Sequence, residues 1–128
     1  MRNELTLAVL LYVQRRSLNN KKKFVAGHHF VDKEGRALPP DASSIPKVFQ
    51  RCVGGAIIEA LTELGLEKNA SRSSHGYAVV MYALGDSLGT FASGSEKIAA
   101  VMKVNNEEGY DGIRSLIGNT AERLYRGK

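Results

Sequence analysis

The sequence predicts a mainly α protein, a compact bundle of four or five helices with a small β-hairpin after the first helix. Three observations carry that prediction. Between Pro46 and Gly65, the residues Val48, Cys52, Val53, Ala56, Ile57, Ala60, Leu61 and Leu64 recur at helical spacing. Between Phe24 and Leu38 the period changes, and strand-favouring residues surround a turn. Near the C-terminus, Tyr110, Ile113, Ile117, Ala121 and Leu124 form one apolar stripe.

The elements follow in order. Asn3 is placed to cap a first helix that carries Leu5, Ala8, Val9, Tyr12 and Val13 on one side. Leu7, Leu10 and Leu11 widen its apolar arc, and Leu-Asn-Asn-Lys-Lys-Lys after Ser17 reads as a turn. A hairpin of roughly His28–Val31 with Arg36–Leu38 is expected around Asp32-Lys33-Glu34-Gly35, with glycine closing the turn. Pro39-Pro40-Asp41 leads in extended geometry to the central helix, which Pro46 starts and Gly65 ends. Within that helix Gly54 and Gly55 each cost about 1 kcal/mol against Ala, so another backbone is expected to pass close by.

Glu67 to Ser74 is polar and reads as an exposed loop. A helix from about His75 to Leu88 buries Tyr77, Val80, Met81, Leu84 and Leu88. Ser93-Gly94-Ser95-Glu96 begins a short helix with Ile98, Val101 and Met102, broken by Asn105-Asn106-Glu107-Glu108-Gly109. The last helix, from about Tyr110 to Tyr125, has acids at its positive end and Arg123 and Arg126 at its negative end.

With 128 residues, 43% apolar and 24% charged, the chain reads as a single globular domain, 1–128, and not as a disordered one. Its apolar runs fall well short of the roughly 20 residues that span a bilayer. Leu5 to Val13 is too short and lacks the flanks of a secretory signal, so a cytoplasmic protein with no membrane contact is expected. The lone cysteine, Cys52, excludes an internal disulfide framework and reads as a small buried hydrophobe.

Cys52-Val53-Gly54-Gly55-Ala56 is similar to the Cys-x-x-Gly-Ala of a family of small bacterial and phage proteins, known only as a domain of unknown function. The early apolar helix with its glycine-containing hairpin resembles the same family. So does Val104-Asn105-Asn106 followed by Gly109-Tyr110-Asp111, where family members tend to show Trp-Asn-Asp before a final helix. This chain has no tryptophan and carries Asn106 where aspartate is common. The resemblance implies a fold and brings no established activity.

His28, His29, Asp32, Glu34 and His75 are the metal-ligating types present. Adjacent histidines on a strand point to opposite faces, and neither H-x-x-x-H nor H-E-x-x-H occurs, so no metal or other cofactor is expected. Ser71, Ser73 and Ser74 lie beside His75 without a Gly-x-Ser-x-Gly elbow and read as a loop leading to a helix cap. Asn105 and Asn106 read as caps of the final helix.

Charge is the clearest functional signal. Residues 1–36 hold eight Lys/Arg against three acids, and residues 37–128 hold ten of each, so the whole net charge of +5 belongs to the first quarter. Arg15, Arg16, Lys21, Lys22 and Lys23 place five cations within nine residues, flanked by Tyr12 and Phe24. That cluster suits phosphates of nucleic acid or an acidic protein surface. The expected function is therefore non-catalytic binding, as a phage-related accessory factor. A second reading is a protein-interaction inhibitor or homodimer acting through its Gly-rich and apolar helix faces. A third is a small-ligand binder or enzyme using His28, His29, Asn105, Asn106 and Asp111.

Overall fold

A computed structural model describes residues 2–127. Five α-helices stand among them: α1 (Arg2–Tyr12), α2 (Val53–Glu63), α3 (His75–Asp86), α4 (Gly94–Glu107) and α5 (Gly109–Arg126). Three two-residue strands, β1 (Phe30–Val31), β2 (Ala37–Leu38) and β3 (Gln50–Arg51), form an antiparallel sheet in the order β2-β1-β3. The protein is mainly α, as its periodicity predicts. No helix among the described residues is long and apolar enough to cross a membrane.

The centre is α2. Val53, Ala56, Ile57, Ile58, Ala60 and Leu61 are fully buried, and the helix packs against α1, α3 and α4. Burial of Ile57, Ile58 and Leu61 alone contributes about 1.5–3 kcal/mol each before entropy is counted. Gly65, at φ +71°, follows the last turn in the left-handed conformation that ends helices.

The start of this helix differs from the sequence expectation. Pro46 does not open α2; it lies inside a 3₁₀ helix, Ala42–Lys47, whose first turn is capped by Asp41 accepting from Ser43 N at 2.9 Å. The chain then extends, Phe49 N donates to Val31 O at 2.8 Å, and Gln50–Arg51 joins the free edge of β1. Pairing with β1 satisfies backbone groups that helical continuation would have left unpaired on that strand. The hairpin is thus one side of a three-stranded sheet. Its turn is as expected, with Asp32 Oδ1 accepting from Glu34 N and Arg36 N, each at 2.9 Å.

Sheet and helix are locked together at the N-terminus of α2. Cys52 N donates to His29 O at 3.2 Å, and a Cβ on Gly55 would overlap that same carbonyl oxygen. The close backbone predicted for the glycine pair is met at Gly55, by His29, whereas a Cβ on Gly54 would meet the His29 and Tyr77 side chains. Arg51 and Glu59 add a largely buried ion pair, with Nε 3.1 Å from Oε1 and Nη2 donating to Oε2 at 3.3 Å.

Four smaller expectations change. Asn3 lies inside α1, not before it. Leu64 and Leu88 fall beyond the ends of α2 and α3 and are about 40% exposed. The 67–74 loop is not wholly exposed, because Ala70 is buried and its carbonyl accepts from Ala42 N at 2.9 Å. Finally, α4 runs through Asn105 and Asn106 to Glu107, and the break falls at Glu108, ahead of Gly109 at φ +71°.

Candidate functional site

The basic segment occupies two unusual turns. After Tyr12, α1 widens into a π-helical turn, Val13–Ser17, closed by Leu18 N donating to Val13 O at 2.8 Å. The widening brings Leu18 into the core, where it is fully buried. It also leaves carbonyls to be satisfied from elsewhere. Arg114 Nη1 donates to Gln14 O at 2.8 Å, Tyr110 Oη donates to Leu18 O at 2.9 Å, and Lys23 Nζ donates to Arg16 O at 3.0 Å. Phe24 packs edge-on against Tyr110, with ring centroids 6.1 Å apart.

Lys21–Lys23 form a 3₁₀ turn capped by Asn20, which accepts from Lys22 N at 3.0 Å. Arg15, Arg16, Lys21 and Lys22 are exposed, and none has an ion-pair partner among the described residues. Lys23 is half-buried and ties the two turns together. Lys33 and Arg36 belong to the hairpin, where Arg36 pairs with Asp32 and Glu34 at 3.1 and 2.9 Å. That pairing, with Lys33 beside it, balances the hairpin's charge, so the surplus lies before Phe24.

The alternative polar group separates. His29 and Asn105 both reach the N-terminus of α2, but each is committed to holding it. Asn105, fully buried, accepts from Val53 N at 2.9 Å through Oδ1, so it caps α2 and not the final helix. The half-buried His29 ring lies 3.3 Å, Nε2 to Oη, from Tyr77. Burial, with Arg72 adding a smaller effect, lowers the His29 pKa to about 4 and keeps the ring neutral. Cys52 beside them is fully buried, and burial raises its thiol pKa. His28, Asn106 and Asp111 are exposed, and Asn106 meets this group only by accepting from Asn105 Nδ2 at 3.0 Å.

Other sequence candidates are also spent on structure. Asp32 and Glu34 serve Arg36, Ser74 Oγ accepts from Ser71 N at 2.9 Å, and Ser71 Oγ accepts from Ser73 N at 3.1 Å. No three His, Cys, Asp or Glu gather at metal-binding distance among the described residues. Gly54 and Gly55 are buried against His29, so they offer no free face to a partner.

Two clefts not foreseen in the sequence draw in residues it singled out, His75 in one and Tyr12, Arg15 and Arg16 in the other. One, of about 350 Å³, opens between α1, α3, α4 and α5, with Asp86, Lys97 and Arg123 in its wall. Its charged groups are already paired: Lys97 Nζ lies 2.8 Å from Asp86, and Arg123 donates to Ala83 O at 2.8 Å and Ser87 Oγ at 3.2 Å. The other, of about 260 Å³, lies beside the basic turns and is lined by Ala8, Leu11, Tyr12, Arg15, Arg16 and Leu64. Sequence reading missed the anchors Tyr110 and Arg114. Their i, i+4 spacing on α5 puts them on one side, but nothing local tells that side to face the π turn.

Compared with models of protein families, with curated proteins and with solved structures, the chain matches none.

Proposed function

We propose that this protein binds the phosphate backbone of nucleic acid through Arg15, Arg16, Lys21 and Lys22, without catalysis. The observation that carries this reading is the Lys23 Nζ–Arg16 O bond of 3.0 Å, which holds the two basic turns side by side. Cations fixed on a packed surface lose less freedom on binding than cations on a floppy tail. Their guanidinium and ammonium groups make no ion pair among the described residues, unlike those of Arg36, Arg51 and Lys97. Contacts of this kind position a polyanion and carry no base specificity by themselves. The proposed role is an accessory one, in the cytoplasm.

Titration of labelled DNA and RNA at two salt concentrations tests the proposal. Affinity is expected to fall with salt at a log–log slope of about −0.7 to −0.9 per phosphate contacted. The Lys21→Glu/Lys22→Glu double variant is expected to weaken binding to all sequences alike while leaving unfolding unchanged. Lys23 is spared, because its amine holds Arg16 O. No binding at low salt overturns the proposal in favour of an acidic protein partner. Binding that survives the double variant moves the site elsewhere.

A further inference from the structure

We infer that the nucleic acid is single-stranded, and that the cleft of Ala8, Leu11, Tyr12 and Leu64 receives one unstacked base while Arg15 and Arg16 hold its phosphate. This rests on the function proposed above and specifies its substrate class.

The cleft follows from the helix geometry. Ala8, Leu11, Tyr12 and Arg15 fall at i, i+3, i+4 and i+7, so they line one side of α1 and its π-helical extension. Ala8 is small and exposed, which leaves a hollow between Leu11 and Tyr12 on one wall and Leu64 on the other. Leu64 is 40% exposed because α2 has already ended at Glu63. An apolar hollow beside two exposed arginines joins the two requirements of a nucleotide, a face to stack on and a cation for the phosphate.

Charge permits it. Two acids act on the Tyr12 hydroxyl, Glu59 and Glu63. Glu59 is paired with Arg51, so of the charges acting on that hydroxyl Glu63 is set against Arg16, and Arg15, which also lines the cleft, leaves one positive charge in excess. Size limits it. About 260 Å³ lies below the roughly 300–1,000 Å³ of pockets that enclose a whole small ligand, and suits a single ring system. A base inside a duplex is stacked above and below and presents only its edges, so it has no face to offer Tyr12. An unpaired base does.

The test compares three labelled probes at one low salt concentration: a 12-mer of dT, a 12-mer abasic strand of the same charge, and a 12-base-pair duplex. The dT strand is expected to bind at least about fivefold more tightly than the abasic strand, the lower end of what stacking one base contributes. Filling the hollow with Ala8→Leu, or removing its far wall with Leu64→Ser, is expected to reduce dT affinity to that of the abasic strand. Both positions are exposed, and thermal unfolding verifies that each variant folds. Equal affinity for dT and abasic strands, tighter binding of the duplex, or a preference for dT that persists in both variants overturns the inference and leaves phosphate binding standing. No binding of any probe overturns both.

Discussion

Asn105 Oδ1 accepts a hydrogen bond from Val53 N at 2.9 Å, so a side chain of α4 caps the helix at the centre of the core, 52 positions earlier in the chain. The first N–H groups of α2 have no partner within the helix, and Asn105 supplies one from a site with no solvent access. Replacing Asn105 with Ala would leave Val53 N–H buried without an acceptor. The expected loss is about 1–3 kcal/mol in urea unfolding. Lys103→Ala, at an exposed position of α4 with no hydrogen bond to Asn105, is expected to change stability by no more than about 0.5 kcal/mol. Equal effects of the two substitutions would show that the cap is not what Asn105 contributes.

Gly55 gives a prediction whose sign separates packing from helix propensity. Propensity alone makes Gly55→Ala favourable by up to about 1 kcal/mol. The new Cβ would overlap His29 O, a backbone atom that is itself bonded to Cys52 N. Stability is therefore expected to fall by about 1–3 kcal/mol. At Gly54 a Cβ would meet side-chain atoms, His29 Nε2 and Tyr77 Oη, each at 2.8 Å, and no backbone atom comes as close. Gly54→Ala should cost less. A raised unfolding midpoint for Gly55→Ala would sink the close-approach argument.

His29 makes stability depend on pH in a defined window. Its pKa is lowered from 6.5 to about 4 by burial first and Arg72 second, so the unfolded chain binds the proton more readily than the folded one. The stabilisation is complete above pH 6.5 and is lost as pH falls towards 4. Asp32 does not share this window. Its carboxylate is already held below its usual value of 3.8, chiefly by the backbone N–H of Arg36. Denaturant unfolding between pH 7.5 and 4.5 should show a decline that His29→Gln flattens. The same decline in that variant would assign it to another group.

Much of this architecture was legible because helical burial repeats with the backbone's own period. The stripe of α5, the buried face of α3, the Ser93 cap accepting from Glu96 N at 3.2 Å and the stop at Gly65 all depend on neighbours within a turn or two. Within the candidate site, the five cations and the flanking Tyr12 and Phe24 are equally plain in the sequence. Their arrangement is not. Side-chain periodicity cannot tell a π turn from an α turn when the deciding contacts, from Tyr110 and Arg114, come from residues more than 90 positions away.

By itself, then, the sequence determined which stretches coil, where the central helix stops, and that the charge surplus sits in the first quarter. Tertiary structure alone decided where α2 begins, because the edge of β1 draws Gln50 and Arg51 into the sheet before the helix can start. It alone turned Asn105 inward to Val53 and left Leu64 facing solvent beside Tyr12. The physical reason is common to all three. A repeating pattern records how a segment buries its own face, whereas a hydrogen bond or cleft between distant segments exists only once the chain has brought them together.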